Sequence, residues 1–86
     1  MLIDVRPEPY YNNLHAEGSI NTPLHMFYHE RHNLPRKDTE IVLICSGAVA
    51  SGVGYSYLEH YGFTNIKRIE GGIEAWEEAG LPTVSI

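Results

Sequence analysis

Hydrophobic residues along this chain gather in three short runs, separated by stretches where they recur every three or four positions. Leu2–Val5, Ile41–Cys45 and Ile66–Ile69 read as short buried strands. The central run, IVLIC, is apolar at every position, as in a strand covered on both faces in a parallel sheet. Ser19–Ile20 is a fourth, very short strand candidate. Over Ala50–Tyr61 the residues Ala50, Val53, Tyr57, Leu58 and Tyr61 define one apolar helical face, and Gly62 follows as a left-handed C-terminal residue. Ile73 and Trp76 share a face of a shorter helix that Gly80 closes, with Pro82 just beyond. His25–His32 predicts a third helix, Pro7–Asn13 a turn, and Pro35 with Arg36–Glu40 a loop before the central strand. Strands alternating with helices predict an α/β fold of three layers, α/β/α, around a mostly parallel central sheet. No repeat, linker or low-complexity segment divides the chain, so residues 1–86 read as a single domain.

Composition narrows the function classes. The formal net charge is −5, and the six Lys and Arg residues are scattered, with Arg36–Lys37 the nearest approach to a patch. A nucleic-acid or anionic-membrane surface needs a dense basic face, so neither partner is expected. No apolar run approaches the roughly eighteen residues of a membrane helix, and no signal-peptide pattern opens the sequence. One cysteine cannot form an internal disulfide, and the expectation is a cytoplasmic protein.

That cysteine, Cys45, ends the most apolar strand, and a helix begins within about five residues of it. Ligands of α/β folds gather at the carboxyl ends of strands. The intervening Ser46, Gly47, Ala48, Val49, Ala50 and Ser51 carry no charge. Their backbone N–H groups can curl around the thiol as an anion-binding nest, and the helix amino-terminus adds its positive dipole end. Both effects favour the thiolate, which is the nucleophilic form. The competing reading is plain: free cysteine at the end of a core strand is commonly a small hydrophobe. Composition and spacing leave both open.

Larger motifs bear on the choice. LIDVR (Leu2–Arg6), HAEGSINTP (His15–Pro23), the strand–cysteine–loop–helix unit, GF (Gly62–Phe63), GGIEAW (Gly71–Trp76) and GLP (Gly80–Pro82) together resemble the rhodanese, or sulfurtransferase, domain family, in its order and at about its spacing. The resemblance covers essentially the whole chain. It implies that Cys45 is the catalytic cysteine, taking sulfane sulfur from a donor, holding it as a persulfide and passing it to an acceptor such as cyanide or a thiol. It also implies a small-molecule donor, or a protein persulfide partner, and no metal or organic cofactor. Sulfur transfer of this kind is thiol–disulfide-type exchange, and loop amides can stabilise the persulfide anion.

The sequence departs from the family in two places. Many members carry C-x-x-G-x-R-S, whereas here Gly47 comes one residue early and Ala50 holds the usual cationic position. Thiosulfate is a dianion, so it is expected to be a poor donor relative to polysulfide or a persulfide. The position six after Cys45 is Ser51, not the arginine of C-x5-R phosphatases, and no Gly-Lys-Ser/Thr follows for a phosphate loop. The second departure is at the start, where the family usually has a strand and helix before D-V-R. An amino-terminally shortened domain of this kind would leave an edge or core face uncovered, which predicts a homodimer or strand exchange.

Other residues have more ordinary expectations. Asp4 and Arg6 are one strand period apart and, as in the family, are expected to be structural near the site. His25, His29 and His32 would align on one side of a helix near Glu30, but without a cysteine pair or H-E-x-x-H they read as a solvated polar face rather than a metal site. His15 is expected to make a structural hydrogen bond, and Trp76, Tyr57, Tyr61 and Phe63 to be core. The leading function is sulfurtransferase. The alternative is a non-catalytic rhodanese-like module that binds a partner or senses redox state through Cys45.

Overall fold

A computed structural model describes residues 1–46 and 49–86, with Val49 and Ala50 described by their backbone alone. In chain order the elements are β1 (Leu2–Asp4), α1 (Glu8–Asn13), β2 (His15–Ala16), β3 (Ile20–Asn21), α2 (Phe27–Glu30), β4 (Ile41–Ile44), α3 (Val49–His60), β5 (Ile66–Arg68), α4 (Gly72–Glu78) and β6 (Thr83–Val84). Single 3-10 turns, Leu24–Met26 and Arg31–Asn33, flank α2. Strands β3, β1, β4 and β5 form a wholly parallel sheet in that order. The D-V-R strand therefore lies inside the sheet, and its edges are β3 and β5. Both are short, and β5 carries Lys67 and Arg68, features that discourage edge pairing.

The run IVLIC is apolar throughout because both of its faces are covered. Ile41, Leu43 and Cys45 join Ile3, Val5, Phe27, Leu58 and Phe63 on the side of α2 and α3, while Ile44 packs with Ala16 and Ile73 on the side of α4. Alternation along one strand thus feeds two cores, giving the three-layer α/β/α arrangement.

Helix α3 matches the expected segment within a residue, but its buried face is rotated from the hydrophobic stripe. Val53 and Tyr57 are 43% and 42% exposed, whereas Ser51, Gly54 and Leu58 are buried. Gly54 explains the rotation. A Cβ there would lie 3.4 Å from both Leu43 Cδ1 and Phe27 Cε2, so the helix approaches the sheet along its smallest residue. Tyr57 is accordingly a half-open ring tilted against Phe27 and Tyr61, not a core residue as expected. The helix ends where the sequence predicts: Gly62 takes φ +95°, and Phe63 N–H donates to Leu58 O at 3.0 Å.

Three other expectations shift. Ser19–Ile20 is realised one residue later, as Ile20–Asn21 paired with Ile3–Asp4. The continuous helix over His25–His32 is broken into 3-10, α and 3-10 turns, so His25, His29 and His32 do not form a regular row, and all three are exposed. The Pro7–Asn13 turn is a six-residue helix with Pro7 at its N-cap. Sequence reading also missed an antiparallel pair, β2 with β6, which joins His15 to Val84 and Ala16 to Thr83. It covers the α4 side, where Trp76 Nε1 donates to Pro82 O at 2.8 Å.

Candidate functional site

The carboxyl ends of β1, β4 and β5 meet at one end of the sheet, and each contributes a charged or nucleophilic group there. Cys45 follows β4 directly and is 1% exposed. Its carbonyl accepts from Ile73 N–H at 2.7 Å, which ties the cysteine to the first turn of α4. Gly71, at φ +83°, makes that approach possible: it ends the β5 connection in a left-handed turn, and a Cβ would meet Ala75 Cβ at 2.8 Å.

On the other side of Cys45 the chain enters α3 at Val49. The first four N–H groups of an α-helix have no intrahelical partner, so the amides of Val49, Ala50 and Ser51 open this helix. Ser51 is 1% exposed. Ser46 is exposed, and its Oγ donates a long bond, 3.4 Å, to Glu74 Oε1. The expected cradle residues Gly47 and Ala48 lie outside the described residues. Of the predicted site, then, Cys45, Ser46 and the α3 opening at Val49, Ala50 and Ser51 occur together at one strand end.

Asp4 and Arg6 form a closed pair beside this site. Asp4 is fully buried, and Arg6 Nη2 donates to its Oδ2 at 2.8 Å while Nε bridges both carboxylate oxygens at 3.1 Å. Arg6 N–H also donates to Asp4 Oδ1 at 2.9 Å, and Nη2 donates to Leu14 O at 2.5 Å. Asn21 Nδ2 adds bonds to the carbonyls of Asp4 (3.0 Å) and Arg6 (2.9 Å). The guanidinium thus fixes the chain leaving β1 to the start of β2. His15 is likewise held inside: its ring stacks on Tyr11 at 3.8 Å, and Nδ1–H donates to Tyr11 O at 2.7 Å.

One residue at this end escaped the sequence reading. Arg68 ends β5, and a Cβ built on Gly52 would lie 2.9 Å from its Nη1, so the guanidinium lies against the first turns of α3. With Ser51, Tyr55, Ile69 and Glu70 it lines a cleft of about 320 Å³. The signal was present in the alternation of IKRIE, which puts Ile66 and Arg68 on one side of the sheet. Its nearness to the cysteine strand is set by the pairing of β5 with β4, which brings Arg68 beside Leu43 and which the alternation alone does not fix.

Comparison with known proteins agrees with this architecture. A sulfurtransferase of Allochromatium vinosum is 27% identical over 85 residues, which cover 99% of this chain and 78% of that protein. A tRNA uridine(34) hydroxylase of Photorhabdus laumondii is 32% identical over 94 residues; the match takes in 95% of this chain but only 26% of that protein. Among solved structures, a thiosulfate sulfurtransferase from Pseudomonas aeruginosa superposes with a TM-score of 0.91 at 29% identity, over 98% of this chain and 16% of the other. The Rhodanese-like domain family matches residues 1–79, and the chain belongs to that family.

Proposed function

We propose that the chain is a sulfurtransferase in which Cys45 carries sulfane sulfur as a persulfide. The observation that carries this reading is the placement of Cys45 at the end of β4, its own carbonyl held by Ile73 N–H and α3 opening four residues on at Val49. The Cys45 thiolate attacks the sulfane sulfur of a donor. The new S–S bond forms as the donor's own bond to that sulfur breaks, and the donor remainder leaves with the electron pair. An acceptor nucleophile, cyanide or a thiolate, then attacks the outer sulfur and releases the Cys45 thiolate. No metal or organic cofactor enters either step. Amides of the Ser46–Ser51 segment stabilise the persulfide anion. Polysulfide or a small or protein-bound persulfide is the preferred donor, with thiosulfate a poorer one because that segment has no cationic side chain.

Thiocyanate formation from polysulfide and cyanide tests this. The account expects ping-pong kinetics and complete dependence on Cys45. Turnover that survives Cys45→Ser would exclude it. A second reading, a binding or redox-sensing module, draws on the deep burial of Cys45 and on relatives in which the matching span is a small part of a longer chain. A sensing thiol would exchange with disulfides yet give no turnover.

A further inference from the structure

The loop after Cys45 has no cationic side chain, but the fold brings one to the same side of the sheet from another strand. In the parallel register of β4 and β5, Leu43 stands beside Arg68. Leu43 and Cys45 belong to the same core cluster on the α3 side, so alternation places Arg68 on the side of the sheet that carries the thiol. The chain then runs on alongside Cys45: Ile69 N–H donates to Leu43 O at 2.9 Å, and Ile73 N–H to Cys45 O at 2.7 Å. Between these two bonds lies Glu70, which shares the cleft with Arg68, Ser51 and Tyr55. Gly52 gives the guanidinium room to lie across α3, since any side chain there would contend with Nη1.

We propose that Arg68 is the specificity-determining cation of this site and that, opposed by Glu70, it selects singly charged sulfur donors. Hydropolysulfide and small persulfides without a carboxylate, each with one negative charge on its terminal sulfur, share that chemistry. The guanidinium's positive charge draws a monoanion toward a thiolate that would otherwise repel it, while the carboxylate two residues on disfavours a dianion such as thiosulfate. The inference rests on Cys45 as the nucleophile of the proposed reaction. It adds a cation that lies 23 residues further along the chain than the thiol it serves.

The test compares two alkylating reagents of nearly equal size, anionic iodoacetate and neutral iodoacetamide, on Cys45 in the wild type, Arg68→Gln, Arg68→Lys and Glu70→Gln. Sulfur loading from polysulfide is measured on the same four proteins. The expected result is a fall of about fivefold in the iodoacetate-to-iodoacetamide rate ratio for Arg68→Gln, with the iodoacetamide rate little changed. Arg68→Lys should restore most of the ratio, Glu70→Gln should raise it, and added salt should shrink all of these differences. An unmoved ratio in Arg68→Gln overturns the proposal. So does an equal fall in both rates, which marks a structural role, or a Cys45 that neither reagent reaches. The two failures separate cleanly. A shifted ratio without sulfur loading keeps Arg68 as an anion selector and removes the sulfurtransferase reading; normal loading with an unmoved ratio does the reverse.

Discussion

Deleting Arg6 should cost this domain more than almost any other single change outside the core. In Arg6→Leu the Asp4 carboxylate, fully buried, loses the Nε and Nη2 donors at 2.8–3.1 Å and keeps only the backbone N–H at residue 6. Breaking a buried pair by removing one partner costs about 3–5 kcal/mol, because the remaining charge is desolvated without compensation. A chain of 86 residues is expected to unfold with about 4–13 kcal/mol in all, so the loss is a large share of the total. In melting temperature it corresponds to a drop on the order of 20 °C for a domain of this size. Asp4→Leu should cost less, since the long Arg6 stem can carry its charge toward water and still donate to Leu14 O. The double variant Asp4→Leu/Arg6→Leu buries no charge and should recover to within about 2 kcal/mol of wild type. Urea unfolding followed by Trp76 fluorescence gives all four corners of the cycle. If Arg6→Leu costs under about 1 kcal/mol, the pair behaves like a surface salt bridge and the reasoning is wrong.

Further expectations concern the helix–sheet contact and the exposed charges. Gly54→Leu should destabilise by about 1–3 kcal/mol through overpacking against Leu43 and Phe27, whereas Gly52→Ala should change stability by less than about 1 kcal/mol, because the helix-propensity gain is offset by the shift it imposes on the end of the Arg68 side chain. Equal effects at the two positions in thermal melts would contradict the packing described for α3. Phe27→Ala, at a fully buried ring, should cost about 3–5 kcal/mol by chemical denaturation; a loss below about 1 kcal/mol would place Phe27 outside the core. Lys67, bonded to Glu40 at 2.6 Å and attracting its charge, holds that carboxyl below its ordinary value of 4.5. A lowered carboxyl contributes stability that is present above pH 4.5 and is lost as pH falls through the lowered value. Lys67→Gln should therefore flatten the acid limb of the melting profile slightly, and less so in high salt; an unchanged limb would show that the pair is inert in solution.

What the sequence made legible follows from periodicity. A run such as IVLIC admits few environments, and its burial on two faces was readable from hydropathy alone, as was the Gly62 stop after α3 from the glycine that follows the apolar pattern. The rotation of α3 was not, because hydropathy weighs Val53 and Tyr57 above Gly54, while close packing against Leu43 and Phe27 rewards the absence of a side chain. The two-residue pair β2–β6 carries too little pattern to read, and its register is set by contacts between residues far apart in the chain. At the candidate site, the position of Cys45 directly after a buried strand was readable. Arg68 was not, because its nearness to α3 depends on the parallel pairing of β5 with β4 and on a glycine at position 52.

The most direct measurement is an intact-mass spectrum of the protein after incubation with polysulfide and, separately, with thiosulfate, with Cys45→Ser as the control. The account predicts one added sulfur on the wild type alone, loaded more readily from polysulfide and lost on adding cyanide or a thiol. No adduct from either donor, or an adduct that persists in Cys45→Ser, would contradict the claim that Cys45 carries sulfur.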